Sequence, residues 1–238
     1  MADILTLIDK KMGILAQKLP SLVLEIVKRI VGDNKNIYKL ELTDPRLASS
    51  KFDDIKTLLL ETTNNLNDVL LNEIEKWFIK EFGKKYDSAK AKGEFLDEIK
   101  TTTKVFMQGM TDTIRKDVLE SIALTMTSTS VKTEAEALSK RISKSVKQTI
   151  AIIQESTVRK VREKNLEILL KGMNDDDLLL FSHVIDSKNS EFCSKYGNKA
   201  YTKEEWLKIK SDVLEVGGHI GCRGVFVVIS KDEYEKMK

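Results

Sequence analysis

Proline is almost absent from this chain, and its scarcity constrains the fold more than any other feature of the sequence. Both prolines, Pro20 and Pro45, lie in the first fifth of the 238 residues, and none follows. Proline removes a backbone donor and clashes with the preceding helical turn, so a chain without it is free to form long helices. Hydrophobic residues make up 41% and charged residues 32%, which is typical of a globular protein with a core.

Apolar residues recur at helical spacing in four long segments. The first predicts a helix over residues 2–31, with Pro20 as a candidate break and Gly32 as its stop. Further segments predict helices over 52–82, 87–127 and 132–173. Turn-favouring residues indicate a linker near 33–51, with a candidate short strand at 37–42. In the third helix the expected apolar face consists of Phe95, Ile99, Val105, Phe106, Ile114, Val118, Ile122 and Leu124.

The pattern changes after Asp177, where shorter elements replace the long helices. The candidates are a strand at 183–186, a turn at Gly197 and Asn198, a helix to about 213 that opens with a Thr202–Glu205 capping box, and a β-branched strand at Val225–Ile229. We therefore predict a predominantly helical α+β fold. A long-helix body would span residues 1–177, and a small α+β domain would span 178–238.

Both cysteines and one of the two histidines lie in the predicted end domain, where they are candidate metal ligands. His219 and Cys222 are three residues apart, which puts an imidazole and a thiolate on one loop, and zinc favours such ligands. Cys193 is a candidate third ligand, and Asp186 or His183 a candidate fourth. Two alternatives stay open: the cysteines pack as small buried hydrophobic residues, or they form a redox-sensitive disulfide.

The same residues resemble the end domain of phage minor head (head morphogenesis) proteins of the Mu and SPP1 type. In that family an aspartate follows a short strand, and a Cys-x-x-Cys segment, a glycine and an aromatic residue come next. His-x-x-Cys-Arg-Cys and a final strand complete the order. Ser190 and Gly224 stand here where the family has cysteines. The resemblance covers roughly residues 145–230, and its matching positions are Asp186, Cys193, Gly197, Tyr201, His219, Cys222 and Arg223.

The resemblance implies a virion assembly protein rather than an enzyme. Such proteins join the procapsid in few copies, associate with the portal and with other capsid or scaffold proteins, and contact packaged DNA. They lie in the head interior or at the portal vertex, and in the host cytoplasm during assembly. Zinc would be held by Cys193, His219 and Cys222, with Asp186 as a further ligand. Arg223 would either pair with Asp186 or stay solvated.

No catalytic motif accompanies this constellation. The sequence has no Gly-rich phosphate loop, no Gly-x-Ser-x-Gly elbow and no His-Glu-x-x-His. Its apolar runs are too short and too charged to span a bilayer, so we expect no membrane partner. Two other interpretations stay open: a metal-dependent bacterial effector that carries the same end domain, and a helical structural protein unrelated to phages.

Basic residues gather in the segment 131–172, which holds ten Lys or Arg against five Glu. Such a face can contact DNA phosphates, although the whole chain carries a net charge of only +3. Aromatic residues that would stack on bases do not interleave with it. The alternative is an ordinary solvated helix face. The candidate contacts are Lys140, Arg141, Lys144, Lys147, Arg159, Lys160 and Arg162.

Overall fold

The computed structural model describes residues 2–31, 45–127, 131–182, 191–215 and 224–237. Long helices dominate, and three short strands follow them, which confirms the predicted predominantly helical α+β class. No helix in the described ranges is both long enough and apolar enough to cross a membrane. The helices are α1 (Ala2–Val31), α2 (Pro45–Phe82), α3 (Ser88–Ala91), α4 (Asp97–Thr127), α5 (Val131–Gly172), α6 (Glu191–Tyr196), α7 (Lys203–Glu215) and α8 (Lys231–Met237). The strands are β1 (Asp177–Ser182), β2 (Lys199–Tyr201) and β3 (Val225–Ser230).

The chain divides into two compact units. The first, here called the helical unit, comprises Ala2–Ile74 and Lys92–Thr157. The second, here called the sheet unit, comprises Glu75–Ala91 and Val158–Lys238. The domain boundary predicted near residue 178 stays a prediction, and the first strand begins beside it.

Helix α1 has the bounds that its apolar spacing predicts. Its buried side chains recur every three or four residues, so one face of the helix is continuously apolar. The helix continues through Pro20, which is itself buried, and the apolar face resumes at Val23. Burial of these side chains offsets the hydrogen bond that Pro20 removes, at roughly 1.5–3 kcal/mol for each large side chain. The buried residues of this face are Ile4, Ile8, Met12, Leu15, Leu19 and Val23.

The second and third predicted helices differ in detail from the structure. Helix α2 begins at Pro45 rather than at 52, so residues 45–51 of the expected linker are helical. Proline suits the first helical position because the N–H that it lacks would have no hydrogen-bond acceptor within the helix there. Residues 33–44, with the candidate strand at 37–42, lie outside the described residues. The segment 87–127 is broken up: a π-helical turn, Lys92–Leu96, separates α3 from α4.

Helix α4 buries part of the expected apolar set, since Ile99, Ile114 and Val118 are buried as predicted, but two other expected residues are exposed. Val105 and Leu124 are 63% and 47% exposed, whereas Met107 and Met110 are buried. Val105 lies about 200° around the helix from Met107, so the two cannot share one face. Thr103 and Thr111 lie on the buried face, and each hydroxyl donates to the carbonyl four residues earlier at 2.9 Å. Local hydrogen bonds thus satisfy these polar groups within an apolar face.

The sheet is antiparallel, with the strand order β2-β1-β3. In the central strand β1, Leu179 and Phe181 are buried, and they face Val228 and Phe226 of β3. Leu179 also faces Tyr201 of β2. The strand predicted at Val225–Ile229 is confirmed as β3, while the one predicted at 183–186 lies outside the described residues. Strand β1 itself, immediately before it, was not expected.

Helix α7 begins with the predicted capping box. The Thr202 N–H donates to the Glu205 carboxylate at 2.8 Å, and the Glu205 N–H donates to the Thr202 hydroxyl at 3.2 Å. These two bonds satisfy backbone donors that the first helical turn leaves without partners. The box sets the start of the helix that carries Trp206, which is 2% exposed in the core of the sheet unit.

Candidate functional site

The predicted metal ligand Cys193 lies in the short helix α6, and it is 3% exposed. Its neighbour Phe192 contacts Phe181 of β1, with ring centroids 6.0 Å apart, and this contact holds α6 against the sheet. A cysteine buried at this position has the accessibility expected of a packed residue, and equally that of a structural metal ligand.

The motif glycine and the asparagine after it form the turn that the sequence predicts. The Gly197 N–H donates to the Cys193 carbonyl at 2.8 Å and closes the end of α6. Asn198 has φ 57°, in the left-handed region that asparagine tolerates better than most residues. Its N–H donates to the Phe181 carbonyl at 2.6 Å. The turn therefore fixes the Cys193 helix to β1 through backbone hydrogen bonds.

The motif aromatic, Tyr201, joins β2 to the end of α6. Its hydroxyl donates to the Tyr196 carbonyl at 2.9 Å, and its ring lies 5.6 Å from that of Trp206. Burial raises the pKa of the Tyr201 phenol, and the neighbouring Tyr196, Tyr234 and Glu205 raise it further. Tyr201 thus remains a neutral hydrogen-bond donor, which suits a structural position in the fold.

Trp206 lies at the centre of an aromatic cluster, here called the aromatic core. Its ring centroid is 4.8 Å from Phe226 and 6.1 Å from Phe181, and Phe181 stacks on Phe226 at 4.8 Å. The sequence pattern had placed Trp206 only in the spacer between the two halves of the motif. The sequence signal for Trp206 was its N4 position after the Thr202 N-cap, where an apolar side chain often packs against the residue before the cap.

The structure describes one of the four proposed metal ligands, Cys193. Asp186, His219 and Cys222 lie outside the described residues, as does Arg223. Within the described ranges, His, Cys, Asp and Glu side chains form no group of three that could hold a metal ion. Cys193 alone supplies one sulfur ligand, so the zinc site stays a prediction.

The seven basic residues proposed to contact DNA fall into two groups. Those from Lys140 to Lys147 belong to the helical unit, and those from Arg159 to Arg162 belong to the sheet unit. They also differ in the ion pairs and hydrogen bonds that their side chains form. Their separation along the 42-residue helix α5 means that they do not form a single patch by sequence proximity alone.

Arg141 is bound within a buried polar cluster of the helical unit. One of its terminal nitrogens donates to the Glu134 carboxylate at 2.6 Å and to the Ser121 hydroxyl at 2.5 Å. The Ser121 hydroxyl also donates to the same Glu134 oxygen at 2.6 Å. Hydrogen bonds from Ser121 and then from Arg141 hold the pKa of the Glu134 carboxyl below its ordinary value. This cluster ties α4 to α5, and sequence patterns did not reveal it.

Most cations of the second group form ion pairs along α5. Arg159 bonds to Glu163 at 2.9 Å, and Lys160 lies 3.6 Å from the same carboxylate. Arg162 is half-buried. Arg159 and Lys160 share the single negative charge of Glu163, so these pairs offset only part of the positive charge in this part of the helix.

Lys140, Lys144 and Lys147 are different, because all three are exposed and form no ion pair with a described residue. Their spacing of four and three residues puts them on one face of α5. We call this set the lysine stripe.

No known protein family, no curated protein and no solved structure matches this chain.

Proposed function

We propose that this chain is a phage minor head protein, which joins the assembling head at the portal and performs no catalysis. The ordered match from Asp186 to Arg223 carries the proposal. Two of its motif positions act on the Cys193 helix: the Gly197 N–H closes its end, and the Tyr201 hydroxyl bonds it to β2, which supports interpreting the motif as the framework of a small rigid domain.

The arrangement of the sheet unit gives this proposal further support. A long helix leads into a three-stranded sheet, and the last strand, β3, begins two residues after Arg223, where the family pattern places its final strand. In the proposed protein the sheet unit serves as a compact structural element. The long helices of the helical unit would supply contact surface for the portal and for other head proteins.

A pull-down tests this function directly. The full chain is immobilised and exposed, at moderate salt, to the portal protein encoded beside it, with and without nuclease treatment. We expect capture of the portal that survives nuclease, because the proposed contact is between proteins. Capture that disappears with nuclease would show that nucleic acid bridges the two proteins, and a complete lack of capture would contradict the proposal.

Zinc belongs to the same proposal, as a structural ion held by Cys193, His219 and Cys222 with Asp186 as a further ligand. Thiolate and imidazole are ligands that zinc prefers, and the burial of Cys193 suits a site closed to solvent. The ion would connect the two halves of the motif and stabilise the small domain, since metal binding is coupled to folding in such sites.

A further inference from the structure

We propose that the lysine stripe, Lys140, Lys144 and Lys147, binds the phosphate backbone of duplex DNA. This deepens the proposed function, on which it rests for the source of the DNA, by assigning one short surface of α5 to the contact. Arg141, Arg159 and Lys160 are not part of that surface, although all three belong to the basic segment that the sequence singles out.

The lysines of the stripe differ from the ion-paired cations of α5 because their charges are available to a ligand. Arg159, Lys164 and Lys171 each bond to a glutamate of the same helix at 2.5–2.9 Å. Arg141 is bound to Glu134. A paired cation has to give up its carboxylate before it can neutralise a phosphate, whereas each lysine of the stripe gives up only water. The stripe is therefore the part of α5 where phosphate binding costs least.

Helical geometry lines up the three ammonium groups along one strip. Relative to Lys140, Lys144 lies about 40° around the helix axis in one direction, and Lys147 lies about 20° in the other. The axial rise is about 6 Å from Lys140 to Lys144 and about 4.5 Å from Lys144 to Lys147. The carboxylates nearest to this face on the same helix are Glu136, one turn before Lys140, and Glu155, two turns beyond Lys147. Between them, the described face of the helix carries positive charge alone.

The composition of the face favours a duplex over a single strand. Binding of single strands depends on aromatic side chains that stack on the bases, and α5 contains no aromatic residue. A straight row of flexible lysines can instead contact consecutive phosphates without reading sequence, as in nonspecific backbone binding. We therefore expect no preference for base sequence.

The test measures binding of the full chain to a fluorescent DNA duplex of random sequence by anisotropy, over salt concentrations from about 50 to 200 mM. The variant Lys140→Gln/Lys144→Gln/Lys147→Gln removes the stripe, and glutamine keeps a helix propensity close to that of lysine. The control variant, Lys100→Gln/Arg159→Gln/Lys171→Gln, removes the same net charge. Its three cations are 49%, 50% and 64% exposed, and each is already ion-paired.

Counterion release sets the expected size of the effect. Loss of three phosphate contacts should reduce the magnitude of the slope of log K against log salt by about 2.7. Over that fourfold rise in salt, the stripe variant should therefore lose about 40-fold less affinity than the wild type does. The control should keep the wild-type slope. Far-UV circular dichroism checks that both variants fold. If the triple variant does not, Lys144→Gln alone should reduce the slope by about 0.9.

Several results would overturn the proposal. Equal losses in the two triple variants would mean that only net charge matters, and an unchanged slope in the stripe variant would place the contact elsewhere. Equal or tighter binding to single-stranded DNA would contradict the duplex assignment, and binding to anionic lipid vesicles in place of DNA would assign the stripe to a membrane surface. Portal capture that persists in the stripe variant would leave the proposed function standing by itself.

Discussion

Replacing the buried Glu134 with glutamine should destabilise the helical unit far more than the same change at an exposed position of the same helix. The Glu134 side chain is 8% exposed, and one of its oxygens accepts hydrogen bonds from Ser121 and Arg141 at 2.6 Å. Glutamine keeps the shape but removes the charge that both bonds use. Because Arg141 would lose the negative charge that it pairs with, its own half-buried charge would be left without a counter-charge.

The magnitude follows from the exposure of the two partners. Removing one member of a fully buried ion pair costs about 3–5 kcal/mol. The Arg141 side chain, however, is 37% exposed, so water can solvate the released guanidinium group in part. We therefore expect a loss of about 1.5–3 kcal/mol in the free energy of unfolding, the range for a hydrogen bond to a charged group.

The effect should also depend on pH, with a defined sign. The pKa of Glu134 is lowered from its ordinary value of 4.5 by the hydrogen bonds from Ser121 and Arg141. A carboxyl with a lowered folded-state pKa stabilises the protein above its unfolded-state pKa, and this stabilisation is lost as the pH falls through the folded-state value. The difference in stability between the wild type and Glu134→Gln should thus be fully present at neutral pH and shrink below about pH 4.5.

Urea unfolding followed by far-UV circular dichroism measures the loss, with Glu136→Gln as the matched control. Glu136 lies two residues away on α5 and is exposed, so its substitution should change the unfolding free energy by less than about 0.5 kcal/mol. Both tryptophans, Trp77 and Trp206, belong to the sheet unit, so their fluorescence reports on that unit separately. If the two substitutions had equal effects at neutral pH, the reasoning about the buried cluster would be refuted.

Four further outcomes are expected. Thr202→Ala should lower the unfolding free energy of the sheet unit by about 1 kcal/mol because it removes the cap of α7. The control Thr101→Ala, at an exposed position within α4, should not destabilise the protein. Equal effects of the two substitutions in denaturant titrations would contradict the capping assignment. Tyr201→Phe should cost about 0.5–1.5 kcal/mol through loss of its bond to the Tyr196 carbonyl, but Tyr86→Phe should be neutral or stabilising, since the buried Tyr86 hydroxyl has no hydrogen-bond partner among the described residues. Burial, then Glu75, raises the pKa of Tyr86 from 10.0 to about 12, so the unfolded state loses the phenolic proton first and the free energy of unfolding should fall as the pH rises from 10.0 to about 12; a titration of tyrosinate absorbance that Tyr86→Phe leaves unchanged above about pH 11 would refute this. The proposed zinc site should bind about one zinc ion per chain, and elemental analysis should find that ion lost in both Cys193→Ser and Cys222→Ser; retention of zinc in Cys193→Ser would contradict the ligand set.

The helical part of this fold was predictable because its signals are long and local. Scarcity of proline and a continuous apolar period are enough to predict α1 and most of α2, α4 and α5. Errors arose where the period allows two faces, as with Val105 and Met107, since hydrophobicity alone does not tell which of two neighbouring apolar positions meets the core. Strand β1 escaped prediction because Leu178–Phe181 is a continuous apolar run, and such a run has no period that separates a strand from a helix.

The turns of the candidate site were predictable from the sequence, whereas the partners of its charged side chains were not. Gly197, Asn198 and the Thr202–Glu205 box act within a few residues, so sequence spacing reveals them. Which cations are neutralised depends instead on side-chain partners. Arg141 counts as one more basic residue in the sequence, yet it bonds to Ser121, a residue of another helix, as well as to Glu134. A count of charges does not show this pairing, and for that reason the proposed DNA contact is limited to the three lysines of the stripe, while the wider set of seven stays a prediction.

The central claim, that this chain is a minor head protein, is tested most directly by asking whether it is present in heads. Procapsids and mature particles are purified on density gradients from cells in which the phage or prophage is induced, treated with nuclease, and analysed by quantitative mass spectrometry against the portal and coat proteins. The account predicts the chain in both kinds of particle, in a copy number close to that of the portal and far below that of the coat. Its absence from both, with portal and coat present, would contradict the claim.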